Sequence, residues 1–238
     1  MLKMNQKAHV VATTGQTEID KKLGGGIPMG SLTLVEGQSD SGKSVLSQQI
    51  CFGSLQAELG VAYYTSENTV KSLVTQMISL NMDVTDYFLI DQLRIYPLAL
   101  PAKTNDADAI FTRLLGHMQS LPKKFKLVII DSLTNVVSHS NETSVIDFFT
   151  ACKQYCDEDR ILLIVAHTSA FDERMFIRVR SLCDAHFSLR VEVVGERLIK
   201  VMEVSKVRNA ELNSGNIVSF DVEAGLGIRI IPVSKAKA

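Results

Sequence analysis

The chain has 238 residues, 46% of them hydrophobic and 21% charged, with a formal net charge of -1. That length and composition suit one large, well-buried α/β domain and leave too little for two full ones. The near-neutral balance excludes the basic excess of a dedicated nucleic-acid binder, and no apolar run approaches the length of a membrane span.

The opening segment, residues 1–7, lacks the apolar centre of a signal peptide, and the closing Ser234-Lys-Ala-Lys-Ala238 reads as a short basic tail. Membrane contact is therefore expected only through partners. Cys51, Cys152, Cys156 and Cys183 form no C-x-x-C pair. Cys152 and Cys156 share a helix face, but a metal site needs further ligands nearby and none is evident. All four read as reduced thiols of a cytosolic protein.

In chain order, apolar strands alternate with longer helical patterns. Strands are expected near 31–36, 61–66, 90–96, 126–131 and 160–166, and helices near 43–58, 69–81, 106–120 and 143–156. This alternation predicts a mostly parallel central sheet with crossover helices on its faces. From about residue 183 the pattern changes to short strands near 184–194, 197–205, 216–222 and 226–232. Turn signals such as Val194-Gly-Glu196 and Asn213-Ser-Gly-Asn216 separate them, so this end reads as hairpins extending the sheet. No domain boundary is visible, and 1–238 is expected to form a single domain. The helical face of Val70-Lys-Ser-Leu-Val-Thr-Gln-Met77 reads as core rather than partner contact.

The first expected strand runs into Gly37-Gln38-Ser39-Asp40-Ser41-Gly42-Lys43-Ser44, which satisfies the Walker A pattern G-x-x-x-x-G-K-[ST]. The glycines let backbone N–H groups turn toward phosphates, and the following helix presents its N-terminus to the negative charge. Lys43 is expected on the β- and γ-phosphates of a nucleoside triphosphate, and Ser44 on Mg²⁺. The loop is not repeated, so one nucleotide site per chain is expected.

Ligands of open α/β sheets bind beyond the carboxyl ends of the strands, and three other strands end in polar residues. Leu127-Val-Ile-Ile130-Asp131 is a Walker B pattern that places Asp131 on Mg²⁺, directly or through water. Val61-Ala-Tyr-Tyr-Thr-Ser66-Glu67 brings a carboxylate that either orients or deprotonates an attacking water, or else caps the next helix. Ile161-Leu-Leu-Ile-Val-Ala166-His167 delivers an imidazole that either senses the γ-phosphate or is an ordinary strand-end histidine. Lys206-Val-Arg208 puts two cations on one face of an expected strand. They either meet phosphate, not necessarily in their own subunit, or guard an edge strand against aggregation.

These residues together resemble a RecA-like P-loop NTPase, and more narrowly the KaiC-like group, whose entry into the P-loop is similar to Thr14-Gly15, Ile19-Asp20, Leu23-Gly-Gly-Gly-Ile-Pro28 and Gly30-Ser-Leu-Thr-Leu-Val-Glu-Gly37. The resemblance covers almost the whole chain. It implies that Glu67 polarises the attacking water and that Lys206 and Arg208 reach the γ-phosphate held by a neighbouring subunit of a ring. Within the group the chain resembles the archaellum (archaeal flagellum) accessory ATPases, the FlaH or ArlH family. The segments that carry this are Thr65-Ser-Glu-Asn-Thr69, Ile130-Asp-Ser-Leu-Thr134, Phe148-Phe-Thr-Ala-Cys-Lys153, Arg178-Val-Arg-Ser-Leu-Cys-Asp184 and Ile231-Pro-Val-Ser-Lys-Ala-Lys-Ala238.

That family implies a single RecA-like domain, ATP with Mg²⁺, and a ring, expected to be a hexamer. It also implies docking on the motor and secretion ATPase FlaI and on an archaellum scaffold protein, at the cytoplasmic side of the membrane-embedded motor and without direct nucleic-acid binding. Two departures bear on activity. Where KaiC proteins carry two adjacent glutamates, this chain has Glu67 followed by Asn68, which implies slow or absent hydrolysis. Where they carry a phosphoacceptor pair, this chain has Arg180-Ser181, so no clock-type phosphorylation is expected. The alternatives are a working ATPase driven by Glu67 and, against the charge balance, a recombinase-like DNA-binding ATPase.

Overall fold

A computed structural model describes residues 11–98, 107–195, 197–209 and 217–232. The expectations for segment 1–7, the Asn213–Asn216 turn and the basic tail lie outside the described residues. Among the described residues no helix is long and apolar enough to cross a membrane.

The chain begins with β1 (Val11–Ala12), α1 (Thr17–Lys22) and β2 (Ile27–Pro28), and β1 and β2 form a small antiparallel pair. It continues through β3 (Leu32–Gly37), α2 (Lys43–Gln56), β4 (Gly60–Thr65), α3 (Val70–Ser79), α4 (Thr85–Leu89), β5 (Leu93–Pro97) and α5 (Ala107–Gln119). Next come β6 (Phe125–Asp131), α6 (Thr134–Ser138), α7 (Glu142–Cys156), β7 (Ile161–His167) and α8 (Glu173–Leu182). The closing strands are β8 (Ala185–Val194), β9 (Arg197–Val207), β10 (Ile217–Glu223) and β11 (Gly227–Ile230).

Nine strands make one sheet in the order β11-β10-β9-β8-β3-β7-β6-β4-β5. From β8 to β5 the pairing is parallel, whereas β8, β9, β10 and β11 pair antiparallel in succession. The late strands thus extend the sheet from β8, as the change of pattern near residue 183 indicates. Strands β3, β4 and β7 are buried almost throughout, as befits parallel strands covered on both faces.

Successive side chains point to opposite faces, and each face has its own core. Val35, Val61, Tyr63, Leu127, Ile129 and Val165 pack against Leu46 and Ile50 of α2 and Leu73 and Met77 of α3. Leu34, Ala62, Val128, Ile130 and Ile164 pack on the other side against α5, α6, α7 and α8. The apolar stripe of α3 is therefore core.

The structure corrects three local expectations. The strand expected from residue 90 begins at Leu93, because Asp91, at positive φ, closes the turn after α4 and pairs with Arg94 and Lys124. Helix α3 is capped by Thr69, whose side chain accepts from Ser72 N–H in a capping box, so Ser66 and Glu67 are not its cap. Finally, Lys206 pairs with His186 of β8 and lies beyond the Lys200–Glu203 stretch of β9 that pairs with β10. The strand also ends at Val207, leaving Arg208 just beyond it.

Candidate nucleotide site

The carboxyl end of β3 enters the phosphate loop through Gly37, where a Cβ would overlap the Leu189 carbonyl oxygen and crowd Ser41 Oγ. Gly42 holds φ 92° immediately before α2, and a Cβ there would press on the Phe220 ring and the Lys200 stem. The backbone is thus folded tightly around the helix N-terminus in a way that only glycine permits at these two points. Ser41 Oγ donates to the Gln38 carbonyl at 2.8 Å, and Lys43 Nζ donates to the same oxygen at 2.6 Å.

Desolvation lowers the Lys43 pKa below the ordinary lysine value, and the carboxylates of Asp131, Glu67, Glu36 and Asp40 partly offset it. The loop therefore holds a partly desolvated cation beside free backbone donors, which is the electrostatic complement of a polyphosphate.

Asp131 closes β6 beside the first turn of α2. Its Oδ1 accepts from Ser44 Oγ at 3.2 Å, and its Oδ2 accepts from Tyr63 OH at 2.8 Å and from Ser47 Oγ at 3.2 Å. Burial raises its pKa above the usual carboxylate range, against the lowering effect of these donors. A buried carboxylate with a hydroxyl beside it and no cation in contact is the donor set a hard divalent ion takes. Ser44 and Asp131 fit Mg²⁺, and the loop fits the phosphates it would bridge. When bound, the ion would neutralise charge on the β- and γ-phosphates.

Glu67 lies two residues past the end of β4 and accepts from Ser132 Oγ at 3.4 Å. Asn68 does not share that place: its Oδ1 accepts from Ser72 Oγ in the first turn of α3. His167 ends β7, with its backbone N–H donating to Thr134 Oγ1 at 2.9 Å. Ser169 N–H donates to its Nδ1 at 3.1 Å, which makes Nδ1 the acceptor and puts the proton of the neutral ring on Nε2. Nε2 faces Ser39 Oγ of the loop at 3.4 Å.

Ser39, Asp40, Gly42, Lys43, Ser44, Glu67, Asp131 and His167 all line one cleft of about 610 Å³. It is large enough for a small ligand. A second cleft of about 710 Å³ shares Glu67, Ser132 and Thr134 with it and continues to Asn135 and His139. Glu67 thus stands in the wall between the phosphate side and an open polar channel.

Sequence reasoning missed the opposite wall. Lys200 of β9 and Val222 of β10 line the nucleotide cleft, and Phe220 packs under Gly42. No linear motif marks these residues. They arrive there because β9 and β10 fold back beside β8, and only the antiparallel register reveals it.

Lys206 and Arg208 are not in the cleft. Lys206 pairs with His186 at the amino end of β8, and Arg208 N–H donates to the Asp184 carbonyl at 2.9 Å. Asp184 N–H in turn donates to the Leu32 carbonyl, at the start of β3. The cation pair therefore lies a full strand length from the phosphate loop, roughly 16 Å at about 3.3 Å per residue. It sits on the opposite edge of the same sheet.

A strand-loop-helix phosphate cradle faced by a buried strand-end aspartate, at the carboxyl edge of a parallel sheet, defines a P-loop ATPase of the RecA type. The chain belongs to the KaiC ATPase family, whose model, "ATPase: KaiC", matches residues 12–235. It is similar to the archaeal flagellar ATP-binding protein FlaH of Sulfolobus acidocaldarius, with 29% identity over 232 residues, covering 96% of this chain and 100% of that protein. It is also similar to FlaH of Methanocaldococcus jannaschii, with 26% identity over 90% of this chain and 91% of that protein. The crystal structure of the flagellar accessory protein FlaH from Methanocaldococcus jannaschii superposes with a TM-score of 0.80 at 24% identity, covering 94% of this chain and 100% of that one.

Proposed function

We propose that this chain, acting as one domain over residues 1–238, is an ATP-binding switch of the archaellum machinery. ATP with Mg²⁺ is held by residues 37–44 and Asp131, and its presence lets copies of the chain close into a ring, a hexamer, in which Lys206 and Arg208 of one copy meet the nucleotide of the next. The ring then presents a face to the motor ATPase FlaI and to an archaellum scaffold protein. The protein works on the cytoplasmic side, touches the membrane only through those partners and does not bind nucleic acid. By linkage, ATP promotes docking only to the extent that it binds the docked state more tightly.

The observation that carries this is the position of the cation pair. Lys206 and Arg208 sit at the edge of the sheet away from their own phosphate loop, which supports a role toward another copy rather than toward their own nucleotide. The similarity to FlaH proteins over almost the whole chain supports the archaellum setting.

Turnover is expected to be slow or absent, because Glu67 is unaccompanied: Asn68 replaces a second carboxylate and is turned into the start of α3. A second reading, a working ATPase, draws on Glu67 itself, which stands at the junction of the two clefts where a water can reach it. The deciding experiment is a single-turnover assay with protein in excess over labelled ATP and Mg²⁺, followed for hours. Recovery of intact ATP is the expected result. ADP that appears with wild-type protein and not with Glu67→Gln would establish the working ATPase instead.

A further inference from the structure

We infer that Arg180 is a third member of the cationic edge and that, with Lys206 and Arg208, it grips the triphosphate held by a neighbouring copy of this chain. This rests on the shared-site reading above and extends it to a residue outside the Lys-x-Arg pair.

Arg180 lies in the last turn of α8, three residues before Cys183, the residue that caps the helix by donating to the Val179 carbonyl. Positions three apart on a helix are neighbours on its surface, with Cβ atoms about 5–6 Å apart. Lys206 Nζ donates to the Cys183 carbonyl, and the charge of Arg180 acts on that ammonium. Arg208 is anchored to the next residue, Asp184, through its backbone N–H and through a guanidinium 3.7 Å from Asp184 Oδ1. Lys206 and Arg208 thus meet at the Cys183-Asp184 junction, and Arg180 adds a third positive charge from the last turn of α8, close enough to act on Lys206.

Among the described residues their charge is only partly balanced. Asp184 is the carboxylate at that junction, and its Oδ2 is already engaged by Leu32 N–H at 2.9 Å and Lys153 Nζ at 2.8 Å. Among the described residues Arg180 has no carboxylate partner, and its guanidinium lies 5.2 Å from the Phe176 ring centre. Burial holds the Lys206 ammonium below the ordinary lysine value, with the charges of Arg208 and Arg180 acting in the same direction. A lysine kept charged against burial and two like charges gains most from a multiply charged anion. Arg180 and Arg208 offer the planar donor forks that take phosphate oxygens in pairs. The cradle that holds such an anion is on the far edge of this subunit, so the anion must come from another copy.

The test measures the ATP concentration at which Mg²⁺-loaded protein assembles, by mass photometry, alongside nucleotide affinity at a dilution that keeps the chain monomeric. Arg180 is exposed, so its substitution leaves the fold intact, which thermal melting verifies. Arg180→Ala and Arg180→Gln should each raise the ATP concentration for half-assembly by about tenfold, the effect of one charge-assisted hydrogen bond. Arg180→Lys, which restores the charge without the fork, should recover only part of that loss, and monomer affinity should be unchanged throughout. Wild-type assembly by Arg180→Ala, when Lys206→Ala with Arg208→Ala fails to assemble, overturns the role of Arg180 and leaves the shared site standing. Normal assembly by that double variant overturns the shared site itself.

Discussion

The two edges of the sheet are built on opposite principles. The carboxyl edge is a concave site whose parts satisfy one another: Lys43 on the Gln38 carbonyl, and Asp131 among Ser44, Ser47 and Tyr63. The amino edge gathers cations with few anions among the described residues: Lys206 donates to the Cys183 carbonyl, and Arg208 shares Asp184 with Lys153. On the proposed reading, the cradle of one copy and the cationic edge of the next together form one site. The contrast teaches that residues of one sheet can be separated by a full strand length, so that binding the nucleotide and responding to it are separable properties that substitutions at each edge can test.

The sharpest break of this contrast is at Lys43. Lys43→Ala removes the cation from the cradle and should weaken ATP binding by at least about a hundredfold in calorimetry, with assembly lost as a consequence. The double substitution Lys206→Ala with Arg208→Ala should give the reverse separation: ATP affinity of the monomer within about twofold of wild type, and no ATP-dependent assembly in sedimentation.

Asp184 tests the amino edge as a structural unit. Asp184→Ala strips the acceptor from Leu32 N–H and the partner from Lys153, and a largely buried pair broken on one side costs about 2–4 kcal/mol. Urea denaturation should show that loss.

Glu67→Gln keeps the shape of the side chain and one acceptor oxygen for Ser132 but removes the charge and the basic oxygen, so ATP affinity should stay the same while any residual ADP formation stops. The smallest effect is expected from thiol reagents. All four cysteines are buried, and burial pushes the thiols of Cys156 and Cys183 up to about 12. None should react in the native protein at neutral pH and all four should react in urea; rapid labelling of the native protein would show that the core on the α7 and α8 side opens.

Much of this was legible in the linear chain. Apolar runs that end in Gly37, Asp131 and His167 announce parallel strands and place polar residues at one edge, because burial on both faces demands continuous hydrophobic strands. Glu67 was legible for the same reason, though its rival role as a helix cap was not dismissed until Thr69 and Ser72 took that task. The walls supplied by Lys200, Phe220 and Val222 were illegible. Nothing in an antiparallel hairpin's own sequence says which strand it will lie beside, and a shift of one residue would turn each of these side chains to the other face.

The sequence by itself determined the phosphate cradle, since that loop is local: glycines set its path, and Lys43 and Ser44 follow within one turn of helix. It also determined the alternation that makes the sheet parallel. Only the tertiary structure decided that Lys206 and Arg208 stand at the far edge from that cradle and that Arg180 and Asp184 join them. Strand order and direction are set by long-range pairing and burial, so residues far apart in the chain acquire a common edge, and a common charge, only once the sheet has formed.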